Sequence, residues 1–162
     1  MRWLDTKKPG SVVYVSFGSG ASLNAEQMTD MAGALRQTSS NFLWVVKANE
    51  DGNLPNKFVE ETSGKRLVVA WCPQLEVLAH PAIGCFITHW GWNSPVEAIR
   101  FGVPMVGMPQ FLDQITNAYI LETVWAVGVQ PKVDEKGVAT RGETDRCIWE
   151  IMHGESGRGQ EI

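Results

Sequence analysis

Between residues 86 and 98 the chain reads FITHWGWNSPVEA, and four side chains of that stretch can do chemistry. His89 is a hydrogen-bond donor or a base according to its protonation. Asn93 and Ser94 carry neutral donors and acceptors, and ionised Glu97 is a pure acceptor. Ser94 followed by Pro95 predicts the N-cap and first position of a helix over 95–101. The open amides and positive dipole end of such a helix favour an anion, so a phosphate is expected beside Asn93 and Ser94, with His89 as a second donor. Taken alone, Ser94 as a simple cap and His89 as a bonded strand-end residue account for these types equally well.

Other residues share that chemistry. Trp71 closes an apolar run, where an indole can offer its flat face to a base, a contact worth about 1–3 kcal/mol; a core position is its plain alternative. Glu97 is placed to accept hydrogen bonds from ribose hydroxyls, against a solvated helix face. Asp113 and Gln114 offer an acceptor pair and an amide suited to the vicinal hydroxyls of a sugar, against a helix cap.

The elements that must position these groups alternate. Apolar, β-branched runs at 11–17, 42–46, 66–70, 83–88, 104–108 and 126–130 predict strands. Helical spacing predicts helices from Asn24, whose spacing to Gln27 suits a capping box, to near Gln37, and over 74–79, 95–101, 116–124 and 144–152. Strands apolar on both faces belong to a parallel sheet covered by helices. The expected fold is therefore α/β, a Rossmann-like doubly wound sheet of about six mostly parallel strands with helices on both faces. Ligands sit beyond the carboxyl ends of such strands, where Ser19, Trp71 to Gln74, His89 to Ser94 and 111–114 all fall.

Composition narrows the function. With 162 residues, 44% apolar and 20% charged, the chain is sized for one core. A net charge of -4 gives no basic field for nucleic acid. No apolar run approaches the roughly 20 residues of a membrane span, Met1-Arg2-Trp3 does not open a signal peptide, and a cytoplasmic location is expected. Cys72, Cys85 and Cys147 lack the pairing of a disulfide framework or zinc site. Gly18-Ser19-Gly20-Ala21-Ser22-Leu23 lacks the third glycine of a dinucleotide fingerprint, and no acidic residue ends the 42–46 strand.

Residues 71–114, WCPQLEVLAHPAIGCFITHWGWNSPVEAIRFGVPMVGMPQFLDQ, resemble the 44-residue signature of plant UDP-glycosyltransferases of family 1. SVVYVSFGS at 11–19 resembles the strand that opens their nucleotide-binding half. The resemblance implies the second half of a GT-B enzyme, with residues 1–10 a linker, 11–162 a UDP-sugar-binding domain, and the amino-terminal acceptor domain absent. It implies that Trp71 stacks on uracil, the backbone of Cys72 reads the base edge, and Gln74 and Glu97 meet the ribose. It further implies that Ser19, His89, Asn93 and Ser94 hold the diphosphate, while Trp92, Asp113 and Gln114 contact glucose. No metal and no cofactor would be needed, because UDP-glucose is a substrate and donors aimed at the leaving diphosphate stabilise its charge.

Two departures from the family pattern carry expectations. Trp90 stands where cysteine is usual, and an indole directed into the core predicts repacking that displaces His89. Pro95, where threonine is frequent, is benign at the first helical position. The family's catalytic histidine and aspartate lie in the amino-terminal half; His80 and His153 have no evident carboxylate partner. The expected function is thus donor binding without turnover, for a parent that glucosylates small lipophilic acceptors. The alternative is a non-catalytic nucleotide-binding module whose pocket Trp90 has altered.

Overall fold

A computed structural model describes residues 1–111 and 113–154; Leu112 of the signature and the last eight residues of the expected domain lie outside them. Among the described residues, six parallel strands form one sheet: β1 (Val12–Val15), β2 (Asn41–Val45), β3 (Arg66–Val69), β4 (Ile83–Thr88), β5 (Met105–Gly107) and β6 (Gly128–Val129). Their order, β3-β2-β1-β4-β5-β6, is that of a doubly wound dinucleotide-type sheet.

Strand alternation splits the core into two layers. Val13 and Val15 of β1, Phe42 and Trp44 of β2 and Ile87 of β4 pack under α1 (Ala25–Gln37), α2 (Phe58–Glu61) and α6 (Arg141–His153). Val12, Tyr14, Leu43 and Phe86 pack on the other face under α3 (Gln74–Ala79), α4 (Asn93–Arg100) and α5 (Asp113–Tyr119). The two side-chain sets share strands and differ only in parity, which is why the runs read as continuously apolar. Register slips between Val12 and Val13, so that β4 contributes Gly84 as an extra residue. A Cβ there would lie 2.3 Å from the Gly10 carbonyl oxygen, and the bulge needs that close approach. Leu4 is buried against the second layer, which ties the expected linker to the body of the domain.

Helix starts follow their caps where caps exist. The Asn24 side chain accepts from the Gln27 amide at 2.8 Å. The Gln27 side chain does not close the expected capping box; it bonds the Ala139 amide and carbonyl, each at 2.9 Å, fastening the 131–139 segment to α1. Thr140 caps α6 by accepting from Glu143, so this helix begins three residues before the expected 144. α2 was not expected: its four residues carry no period, and Lys57 before it is left-handed at φ 65° without a side-chain cap. The helix expected over 116–124 is instead α5 followed by a five-residue π-helical turn, Ile120–Val124, closed by the Trp125 amide on the Ile120 carbonyl at 2.8 Å. No helix of the described residues is long and apolar enough to cross a membrane.

Candidate functional site

The sheet reverses direction of travel between β1 and β4, and the crevice at that switch point is where the predicted residues gather. Ser19 is exposed in the turn after β1, His89 follows β4, and Asp113 and Gln114 open α5 after β5. Trp71 follows β3 at the sheet edge, two strands away from β1. The α3 crossover then carries the chain back over the sheet, and this brings Gln74 against α4.

His89 sits between two glycines. A Cβ at Gly18 would lie 3.0 Å from its Cε1, and one at Gly91 would lie 2.5 Å from its Nε2. Gly18 is also left-handed at φ 66°, which a side chain would oppose. These glycines let the turn after β1 and the entry to α4 close on both sides of the imidazole. The Nδ1 atom lies 3.3 Å from the Thr88 hydroxyl. Burial lowers the His89 pKa and the Lys47 ammonium lowers it further, against an upward pull from Asp113. A neutral ring at neutral pH follows, able to donate one N–H to an anion.

Between Trp71 and the start of α4 lies a linked set of side chains. Gln74 Nε2 donates to Glu97 Oε2 at 2.7 Å and to Ser94 Oγ at 3.2 Å. Gln74 Oε1 accepts from the buried Tyr14 hydroxyl at 3.3 Å, and the same hydroxyl lies 3.4 Å from Cys72 Sγ. Trp71 beside them is 75% exposed, so its face is open to a planar guest rather than committed to the core. On the opposite side of the crevice, Gln114 is buried and its Oε1 accepts from the amides of Gln110 and Phe111 at 2.8 and 3.3 Å. Its amide nitrogen has no protein partner among the described residues. Asn117 Nδ2 donates to Asp113 Oδ2 and to the Trp90 carbonyl, both at 3.0 Å, and fixes one oxygen of Asp113. The Trp92 indole is exposed and leans on Trp125 with ring centroids 6.1 Å apart.

Two expectations require correction, on the start of α4 and on His80. α4 begins at Asn93 with Trp92 in the cap position, so Ser94 and Pro95 are first-turn residues and not the cap and first residue. Pro95 is still harmless, because a third-position amide has no partner inside the helix. The Ser94 amide turns back to the Gly91 carbonyl at 3.2 Å, which leaves the Trp92 and Asn93 amides as the open donors among the described residues. Trp90 does enter the core, where it is fully buried. It takes a left-handed φ of 60°, and its indole lies over Gly107 and Gly128, where a Cβ would come within 2.1 and 2.9 Å of it. The space is made by two glycines on β5 and β6. His80 does have a carboxylate partner: its Nε2 lies 3.1 Å from Asp5 Oδ1 while Nδ1 accepts the Ala82 amide at 3.1 Å. This pair is at the amino ends of the strands, opposite to the crevice, and pins the first residues to the domain.

Sequence reasoning did not single out Tyr14, Lys47 and Asn117 as site residues. Tyr14 reads as a core residue of an apolar strand, and Lys47 as a surface charge at a strand end. Asn117, four residues after Asp113, is the one with a signal, since that spacing puts both on one helix face. Among the described residues no group of His, Cys, Asp or Glu is arranged to hold a metal ion.

Comparison with known proteins bears on the fold and the family. A family model described as "UDP-glucoronosyl and UDP-glucosyl transferase" matches residues 5–143. UDP-glycosyltransferase 74D1 of Arabidopsis thaliana is 52% identical over 160 residues, which are 99% of this chain and 35% of that protein. The crystal structure of Os79 from O. sativa in complex with UDP superposes with a TM-score of 0.92 at 42% identity, covering 96% of this chain and 34% of the other. Phytolacca americana UGT2, complexed with UDP-2fluoro-glucose and pterostilbene, gives a TM-score of 0.91 at 39% identity over 96% of this chain and 36% of that one. The chain therefore spans about a third of the length of the relatives it matches. With its doubly wound sheet, its crevice at the switch point and these matches, the chain belongs to the UDP-glucuronosyl and UDP-glucosyl transferase family.

Proposed function

We propose that the chain is the UDP-glucose-binding half of an inverting glucosyltransferase that acts on small lipophilic acceptors. The observation that carries this reading is the clasp of Gln74 on Glu97 and Ser94, which joins the open face of Trp71 to the helix start beside His89 in one continuous rim. Uracil stacks on Trp71 with the Cys72 backbone at its edge, ribose hydroxyls meet Gln74 and Glu97, and the diphosphate lies against Ser19, His89, Asn93 and Ser94. Trp92, Asp113 and the Gln114 amide take the glucose. The bound UDP of Os79 and the fluorinated UDP-glucose of Phytolacca americana UGT2 support the donor class.

In the displacement, an acceptor oxygen attacks the anomeric carbon from the side opposite the carbon–oxygen bond to UDP, and that bond breaks. Charge growing on the departing diphosphate is met by the His89 N–H and the amides at the start of α4, donors already in place before reaction. This reading calls on no metal. His89 faces the leaving group and not the acceptor, so the acceptor proton goes to a base outside these residues, and the chain alone binds donor without transferring it.

Calorimetric titration with UDP and UDP-glucose tests the assignment. Binding is expected, and Trp71→Ala should weaken it by the stacking contribution of about 1–3 kcal/mol, roughly 5- to 150-fold. A folded chain that binds neither ligand, or a Trp71→Ala variant that binds as tightly, removes the reading. Formation of a glucoside from UDP-glucose and a phenolic acceptor by this chain alone would overturn the division of labour between donor binding and acceptor activation.

A further inference from the structure

Tyr14 is buried on β1, in the middle of the sheet, yet its hydroxyl reaches the donor crevice. The ring stacks on Phe86 of the neighbouring strand at 4.8 Å and 12°, which fixes the direction of the C–O bond. Its oxygen meets Gln74 Oε1 at 3.3 Å and Cys72 Sγ at 3.4 Å. Gln74 has one carbonyl oxygen and one amino group, and the two ends need different partners. The Glu97 carboxylate only accepts, so the Gln74 amino group must face it, at 2.7 Å, and the carbonyl oxygen must face Tyr14. A phenol that donates to that oxygen therefore locks the amide in the orientation that serves Glu97. Burial, seconded by Cys72, raises the Tyr14 pKa strongly, so the hydroxyl keeps its proton at every working pH. Gln74 Oε1 can only accept, so in that contact the phenol is the donor. Glu97 Oε2 is then occupied by Gln74 and Oε1 has no protein partner among the described residues.

We propose that Tyr14 is a positioning residue of the donor site, acting through Gln74 to hold Glu97 with one carboxylate oxygen turned to the ribose hydroxyls of a nucleoside diphosphate. This rests on the reading of the crevice as a UDP-sugar site. The relay spans β1, α3 and α4, and it makes ribose recognition depend on a residue that never touches the ligand.

The test compares UDP with 2′,3′-dideoxy-UDP, titrated into the wild-type chain and into Tyr14→Phe, which keeps the ring and its stack. The wild type should prefer UDP, and the preference should fall by about three- to tenfold in Tyr14→Phe, the scale of one net hydrogen bond. Affinity for the dideoxy ligand should stay within about twofold, because stacking on Trp71 and the His89 and main-chain contacts to the diphosphate do not pass through Gln74. A purely structural role would weaken both ligands alike, and that result, or a full preference retained by folded Tyr14→Phe, overturns the proposal. A wild-type chain that binds neither ligand, or binds both equally, defeats the donor-site reading itself, and is seen before any variant is made. Should Tyr14→Phe not fold, the wild type still decides: the Tyr14 ring-carbon resonance next to the hydroxyl should shift on binding UDP and not on binding the dideoxy ligand. Equal shifts with both overturn the relay.

Discussion

Replacing Gly107 by alanine separates the role of Trp90 from that of the proposed donor site. The added Cβ would lie 2.1 Å from the Trp90 ring, well inside the about 3.5–4.0 Å of ordinary carbon contact. The indole is fully buried and its Nε1 has no partner among the described residues, so it has no solvent side to retreat to. Overpacking of this kind costs about 1–3 kcal/mol. For a chain of this size that is a fall in Tm of about 2–4 °C per kcal/mol. In a Trp90→Cys background the clash partner is gone. Gly107→Ala should then cost much less, giving a coupling between the two positions of about 0.5–3 kcal/mol. Trp90→Cys by itself should lose a few kcal/mol to the cavity, part of it offset by removing an unpaired N–H. Thermal melts of the two single variants and the double variant, each also titrated with UDP, read both quantities. Equal Tm losses in the two backgrounds would refute the packing account. A folded Trp90→Cys variant whose UDP affinity falls tenfold or more, about 1.4 kcal/mol, would refute the separation of the indole from the crevice.

Further outcomes follow from the same geometry. Gly91→Ala puts a Cβ 2.5 Å from His89 Nε2; it should weaken UDP-glucose binding in the wild type but add nothing in a His89→Ala background, by calorimetry. His89 has a folded pKa below its ordinary value, so the unfolded chain binds more protons there and stability rises with pH. The Tm of the wild type relative to His89→Gln should accordingly fall as pH drops below about 6.5, and a flat difference contradicts the burial of the ring. A diphosphate favours the charged ring, so UDP-glucose affinity should rise from about pH 7.5 to about pH 5.5 in the wild type and not in His89→Gln. Gln27→Ala removes the two bonds to Ala139 and should cost about 1–3 kcal/mol by denaturant unfolding; a neutral result would mean that the 131–139 segment is held by other contacts.

Much of this was legible before any coordinates. The strand at 83–88 and the helix at 74–79 coincide with β4 and α3, because a bounded apolar run and a short helical period are properties of consecutive residues. The start of α6 was also readable, since Thr140 and Glu143 have capping-box spacing, but Gly142 inside it masked the signal. The start of α4 was misread for the opposite reason: Ser94 and Pro95 look like a cap and its successor, yet the Trp92 main chain enters the helix first and Ser94 is drawn inward to Gln74.

The sequence by itself determined the alternation of strands and helices, the strand ends beyond which Trp71, His89 and Asp113 lie, and the family that the 71–114 signature announces. Only the tertiary structure decided where Trp90 goes, which glycines flank His89, and how Tyr14 reaches Glu97. Local periodicity is written in neighbours, whereas Tyr14 and Gln74 are 60 residues apart and Asn117 and Trp90 are 27 apart. Such partners meet only through strand order and crossover direction, and the packing of side chains against glycine decides which atoms then touch.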